Sequence, residues 1–383
     1  MLNRERRMTI HTDRLCATFM DLCATDSEPK RERLLADKLK ERLAELGFAV
    51  VEDDAGKIIG GTAGNLFARL AGTGEGEPVL FSCHMDRVIP GTGVRPRIEG
   101  EYIVSDGSTV LGADDAAGLA AVLEGVRSLR EQNLPHPPIE LIFTVAEELG
   151  LVGSPHFDLG QVSAPYAFIL DASGPVGEIV VQAPEQVKIR AVFHGRKAHA
   201  GFAPEEGISA IQMAAAAVGR MKLLRIDPET TANIGSITAA FPTNIVPDRC
   251  ELEAEARSLA PDKLRAQADS MRRALEIAAA DFGGTVEITE TPCYQAYNLP
   301  EDAPAAVHAA RAARRIGVPV RFKATGGGSD ANIFNSKGLT SIVLSCGYEG
   351  VHTTEERMSR DQLVLLARWV VALVLENGRP GES

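Results

Sequence analysis

Residues 139–173 read IELIFTVAEELGLVGSPHFDLGQVSAPYAFILDAS. Two nearly continuous apolar runs, IELIFTVA (139–146) and YAFILDAS (166–173), have strand length, and each finishes on acid. Glu147 and Glu148 follow the first, and Asp171 stands at the end of the second. Runs that do not alternate with polar residues belong to strands covered on both faces. Carboxylates at the tips of such strands are costly unless something partners them.

The same pattern extends outward in both directions. Upstream lie NLFARL (65–70), EPVLFSCH (77–84), a hairpin through RPRIEGEYIVSDG (95–107) and an Ala/Gly/Leu-rich helix from Asp115 to Arg130. Further upstream, EPKRERLLADKLKERLAELG (28–47) places Leu35, Leu39, Leu43 and Leu46 at helical spacing, with Gly47 as the stop. Downstream come a helix over 303–316, the strand VRFKA (320–324), a glycine turn, the strand TSIVLSC (340–346) and a last helix over 359–375. Strands alternating with helices define an α/β sheet. Between them, 186–290 runs strand, helix, two strands, helix, strand: VKIRAVFHG, 204–221, ANIGSITAAF, DRCELEAEARSL, 261–282, TVEITE. That order is the ferredoxin-like signature. The expected architecture is a discontinuous α/β domain (1–183 and 294–383) with an inserted α+β domain (184–293).

Composition excludes several function classes. The chain has 383 residues, 45% of them apolar, which fits two folded domains and excludes disorder. A net charge of -12 and only 5% aromatic residues argue against nucleic acid as a partner. No run approaches a membrane span, and MLNRERRMTIHTDRL lacks the apolar core of a secretory signal, with Met8 a possible start. The six cysteines are scattered without a CxxC pair, which suits a reducing compartment, so the expected location is the cytoplasm.

Five clusters carry candidate chemistry, all at expected strand ends, where ligand sites of such sheets lie. In Ser82-Cys83-His84-Met85-Asp86, His84 and Asp86 point to one side. In Leu111-Gly112-Ala113-Asp114-Asp115, one Asp can cap the helix while the other faces a metal. Glu147 and Glu148, as neighbours on a strand, should point opposite ways, one a ligand and one a base. Asp171 and His352, the latter in the loop after TSIVLS, complete the set. Imidazole and carboxylate donors without cysteine suit catalytic zinc, cobalt or manganese.

The order HMD, GADD…G, EE, a lone Asp and a late His resembles the co-catalytic dizinc exopeptidases, and among them the peptidase T-like tripeptide aminopeptidases. HAGFAPEEG (199–207) in the inserted domain is similar to that group's lid motif. The resemblance implies two Zn2+ (Co2+ or Mn2+ as substitutes), with His84 and Asp171 on one ion, Glu148 and His352 on the other, and Asp114 bridging. It further implies Asp86 supporting His84, Glu147 as general base to a metal-bridging hydroxide, and His199 steadying the oxyanion in a neighbouring subunit of a homodimer. The substrate is then a short peptide losing its amino-terminal residue. N-acyl amino acid deacylation and carboxypeptidase action use the same residues, and a non-catalytic binding protein is the remaining rival. Ala116 stands where the group commonly has Lys, and GVHTTEERM (350–358) departs from its usual sequence.

Residues similar to the group's cleft segments are Asn244, Arg257, Gly327 and Gly328. Arg257 is read either as a clamp on a peptide carboxylate or as a partner of Glu253 or Glu255. The glycine turn at 326–328 is read either as an anion cradle or as a plain turn. His11, His136, His156, His194 and His308 are assigned to surface or packing.

Overall fold

A computed structural model describes residues 8–377, so the question of a start at Met8 concerns residues outside those described. The chain forms two compact units. One holds the residues up to Val181, Asn298–Ala324 and those from Ser329; the other holds Gln182–Tyr297 and Thr325–Gly328. The glycine turn, read from sequence as part of the larger domain, therefore groups with the smaller unit.

The larger unit is built on a mixed sheet. Seven of its nine strands run, in spatial order, Ala49–Glu52, Leu66–Leu70, Ile139–Thr144, Val79–His84, Ala167–Ala172, Ser341–Ser345 and Glu178–Ala183, and the expected strand at Arg321–Ala324 pairs with the last of them. The four strands from Ile139–Thr144 to Ser341–Ser345 are parallel, so their carboxyl ends share one edge. Every residue of Val79–His84 and Ile139–Thr144 is buried, as the continuous apolar runs required. The Ala49–Glu52 and Glu178–Ala183 strands were not foreseen; the first is short and half exposed, so it lacks an apolar signature.

Two helices pack tightly beside this sheet, Ala113–Glu131 and Arg360–Asn377. Gly125 permits the approach: a Cβ there would fall 2.9 Å from Val370 Cγ1. Nearby, His308 on helix Pro304–Arg315 is buried as a packing residue. Its Nε2 lies 2.8 Å from the Leu373 carbonyl and its Nδ1 2.9 Å from the Tyr166 hydroxyl. Nε2 donates and Nδ1 accepts, so the ring is neutral. Burial pushes its pKa below the usual histidine range. Protons therefore bind the unfolded chain first as pH falls below about 6.5, and the stability tied to the neutral ring declines from there. The expected result is a fall in melting temperature between pH 7 and pH 5 that is steeper in wild type than in His308→Gln. Equal slopes in differential scanning calorimetry would show that His308 is not buried neutral.

The smaller unit has an antiparallel sheet in the order Leu224–Asp227, Thr230–Thr238, Arg249–Ser258, Glu185–His194, Thr285–Tyr294. Helices Ala210–Arg220 and Pro261–Asp281 cover one face. Apart from the edge strand Leu224–Asp227, which was not foreseen, this is the ferredoxin-like strand order. Alternation fixes the faces of Arg249–Ser258: Cys250, Leu252, Ala254 and Ala256 point inward. Glu251, Glu253, Glu255 and Arg257 therefore share the opposite face. The helix expected over 204–221 is interrupted. Pro204–Glu206 is a 3-10 turn, and Ile208 pairs with Arg196 through two main-chain hydrogen bonds, so extended chain replaces the first turns. Ser209 then caps the true start, its side chain accepting from the Gln212 N–H.

Among the described residues, no helix is long and apolar enough to cross a membrane.

Candidate metal centre

The parallel strand ends bring together His84, Asp86, Asp114, Glu147, Glu148, Asp171 and His352, all within the larger unit. How the chain turns after Thr144 explains part of this. Four successive main-chain N–H groups there are each taken by a buried side chain. Val145 donates to Asn65 Oδ1 (3.1 Å), Ala146 to Glu32 Oε1 (3.1 Å), Glu147 to Asp86 Oδ1 (2.9 Å) and Glu148 to Asp86 Oδ2 (3.0 Å). With its N–H groups satisfied outside the ladder, the strand stops and Ala146 takes a positive φ of 52°. The two glutamates are thus on a loop, and the opposite-facing arrangement expected of strand neighbours does not hold. Both offer a carboxylate oxygen close to His84.

The role expected of Asp86 also changes in detail. Its main-chain carbonyl, 2.8 Å away, receives His84 Nδ1, while its carboxylate stands 3.6 Å from that nitrogen and serves Glu147 and Glu148. Nδ1–H pointing at a carbonyl leaves Nε2 facing the carboxylates, the tautomer a metal ligand requires. His84 Nε2 lies 3.0 Å from Asp114 Oδ1 and 3.5 Å from Asp171 Oδ1. His352 Nε2 lies 3.1 Å from Glu148 Oε1 and 3.7 Å from Asp114 Oδ2. Donor atoms of His84, Asp114 and Asp171 fall within 4.8 Å of one another, and so do those of Asp114, Glu148 and His352. Asp114 belongs to both groups.

The adjacent Asp115 does the other job. Its Oδ1 accepts the Gly118 N–H at 3.0 Å, capping the helix, and it is buried. Gly118 is required there because a Cβ would sit 2.5 Å from that oxygen. Asp114 and Asp115 keep non-helical backbone within the Ala113–Glu131 span. Ala116 is buried in the core.

The electrostatics expose a surplus of negative charge. Burial, followed by the charge of Asp114, pushes Asp171 up to about 8. Burial, then Asp171, holds Glu147 well above the usual carboxylate range. Burial also raises Glu148. Hydrogen bonds to Asp114 and Glu148 lift His352 to about 10. Burial opposes protonation of His84, yet contacts with Asp114 and Asp171 hold its pKa well above normal. Against the same burial, Asp114 is held low by both imidazoles. Carboxylates this close stay together only with protons or other cations among them. Nitrogen and oxygen donors in two groups sharing one carboxylate fit a pair of divalent ions of the zinc, cobalt or manganese type.

Two further carboxylates were missed by sequence reasoning. Glu356 accepts the N–H groups of Gly112 (2.7 Å) and Asp114 (3.1 Å). Burial, with the charge of Asp114, raises its pKa to about 7. Glu32, buried beneath Ala146, is likewise raised to about 7, by burial and then Asp86. Both sit in charge runs, RERLL and TTEERM, that carry no local mark of burial. Tyr348, in the loop after TSIVLS, was missed as well; its hydroxyl donates to Asp114 Oδ1 at 3.2 Å.

The residues expected to touch substrate lie in the smaller unit. His199 is exposed, and its Nδ1 accepts from the N–H groups of Gly201 (3.2 Å) and Phe202 (3.0 Å), so Nε2 carries the proton. Asn244 is exposed, and its carbonyl accepts the Ala200 N–H at 2.9 Å. Arg257 pairs with Glu255 through Nε (2.8 Å) and Nη2 (3.1 Å), the ion-pair reading rather than a free clamp. The Gly327 N–H donates to Thr325 Oγ1 at 3.2 Å. Gly328 packs flat on Tyr294, where a Cβ would lie 2.2 Å from the ring. That contact gives the glycine a structural reason independent of any anion.

A sheet whose parallel strand ends gather two linked donor groups, flanked by a buried carboxylate, defines a metal-dependent hydrolase. The chain belongs to peptidase family M20/M25/M40, whose model matches residues 80–376, and it is a metallopeptidase. An aminopeptidase PepT from Bacillus cereus is 44% identical, with a TM-score of 0.86, covering 97% of this chain and 100% of that one. A tripeptidase from Staphylococcus aureus is 41% identical, with a TM-score of 0.90, covering 97% and 99%. The uncharacterized protein YqjE of Bacillus subtilis is 44% identical over 367 residues, 96% of this chain and 99% of that one.

Proposed function

We propose that this protein is a dizinc aminopeptidase that releases the amino-terminal residue from tripeptides. The observation that carries the reading is Asp114, shared between the His84–Asp171 and Glu148–His352 groups with Glu147 beside them. His84 and Asp171 would hold one ion, Glu148 and His352 the other, and Asp114 both. When bound, the ions supply Lewis acidity to a water and to the scissile carbonyl. Glu147 takes the water's proton and returns it to the leaving amine, as a buried carboxylate beside the two donor groups can do. Asp86 fixes Glu147 and Glu148 through their main-chain N–H groups. His199, with its proton on Nε2, donates to the developing oxyanion, reaching it from a neighbouring subunit of a homodimer. The PepT aminopeptidase and the tripeptidase named above support the choice of peptide and of end.

Within this reading the inserted unit serves as a lid and dimerisation domain, and Asn244 and the 326–328 turn face substrate. Arg257 reaches a peptide carboxylate only by leaving Glu255. Free cysteines throughout, five of them buried, support a reducing compartment such as the cytoplasm.

The test offers free tripeptide, its N-acetylated form and its C-terminally amidated form to protein reloaded with zinc or cobalt after chelation. Chelated protein should be inactive, and reloaded protein should cleave the free and amidated peptides but not the acetylated one. Loss of the acetyl group would mean a deacylase, release of the C-terminal residue a carboxypeptidase. No cleavage of any form would mean a binding protein.

A further inference from the structure

His352 is carried by a loop between two short paired strands, Tyr348–Glu349 and Arg357–Ser359, with Tyr348 opposite Met358. The loop therefore leaves and returns at one place, and it meets Asp114 three times. The Tyr348 hydroxyl donates to Oδ1 at 3.2 Å. His352 Nε2 stands 3.7 Å from Oδ2. Glu356 Oε1 accepts the Asp114 main-chain N–H at 3.1 Å, and its Oε2 the Gly112 N–H at 2.7 Å. Tyr348 is 1% exposed, and Glu356 is equally buried.

We infer that Tyr348 is a positioning residue for Asp114, fixing the plane of its carboxylate so that Oδ1 stays toward His84 and Oδ2 toward His352. The inference rests on Asp114 bridging two ions. The carboxylate torsion of Asp is broad, so nothing within the side chain itself prevents rotation. Rotation by a quarter turn would withdraw both oxygens from their groups at once. A buried phenol donating to a carboxylate forms a charge-assisted bond, and a buried Tyr hydroxyl needs such a partner. Glu356 pins the backbone on which that torsion turns, so Tyr348 and Glu356 together leave Asp114 one orientation. The loop thereby supplies one ligand and sets the geometry of another.

Tyr348→Phe removes the hydroxyl and keeps the ring in the core. Calorimetric titration of the chelated proteins with Co2+ should show two ions bound by wild type. In the variant, one of the two should bind about 10-fold or more weakly, the range typical of outer partners of metal ligands. Reloaded variant should lose about 10- to 100-fold in kcat with KM within about twofold, since the carboxylate's aim, not peptide binding, has changed. The metal-free melting temperature should stay within a few degrees, which separates aim from folding. Two ions bound as tightly as in wild type with unchanged kcat would overturn the inference. A metal-free variant that melts far below wild type, with ion affinities intact, would overturn it too and make Tyr348 a packing residue. Wild type that fails to take up a pair of ions would instead sink the bridging reading of Asp114, and this inference with it.

Discussion

Glu147→Gln should lower kcat by about 10³-fold while the protein still binds two ions. General acid–base groups contribute about 10²- to 10⁴-fold, and Glu147 is asked to act twice, on the water and on the leaving amine. Gln keeps the size and shape of the side chain, and the contacts that hold this segment are main-chain ones, from the 147 and 148 N–H groups to Asp86. Neither contact is altered by the substitution. What is lost is the ability to take a proton. Glu147 does offer an oxygen near His84 and Glu148, so the measurement must read both quantities. Calorimetric titration counts the ions, and steady-state assay on free tripeptide gives kcat. Full activity would remove Glu147 from the mechanism, whereas loss of an ion would make it a ligand.

Asp114→Ala should cost at least as much in kcat and should also abolish paired ion binding, because Asp114 belongs to both the His84–Asp171 and the Glu148–His352 groups. The informative control is its neighbour. Asp115→Asn retains an oxygen that can accept the Gly118 N–H, so it should keep two ions and lose less stability than the ~1 kcal/mol that removing a helix cap costs. The two variants differ by one position in the chain and by opposite expectations in the titration. Equal loss of ion binding in both would show that the division of labour between the aspartates is wrong.

Much of this was readable along the chain. A strand that is apolar without alternation must be covered on both faces, so IELIFTVA and PVLFSC announced a central sheet of a layered α/β unit before any contact was known. Polar residues stranded at the ends of such runs, His84, Glu147, Glu148 and Asp171, stood out because burial there is costly without a partner. Period-two alternation in DRCELEAEARSL fixed which face of the second unit's sheet carries charge. Each of these readings depends on residues close in sequence, where backbone periodicity alone dictates direction.

Other features depend on distant pairs. That Asp115 caps while Asp114 faces the imidazoles follows from where Gly118, His84 and His352 come to rest; the residues alone left the two aspartates interchangeable, and only the family resemblance singled out Asp114. The loop conformation of Glu147 and Glu148 was set by Asn65, Glu32 and Asp86, three side chains between 61 and 114 residues away in the chain. Local propensity extended that strand; tertiary hydrogen bonds ended it. Glu356 and Tyr348 carried no local mark at all, since a charge run and a lone aromatic in a glycine loop look like surface and packing. The sequence by itself determined the layered α/β frame and which side chains stand at its strand ends, because short-range periodicity and the cost of burying charge act locally. Only the tertiary structure decided which aspartate caps the helix, where the two oxygens of Asp114 stand and which side chains hold them there, because those choices are hydrogen bonds between segments that the chain must first bring together.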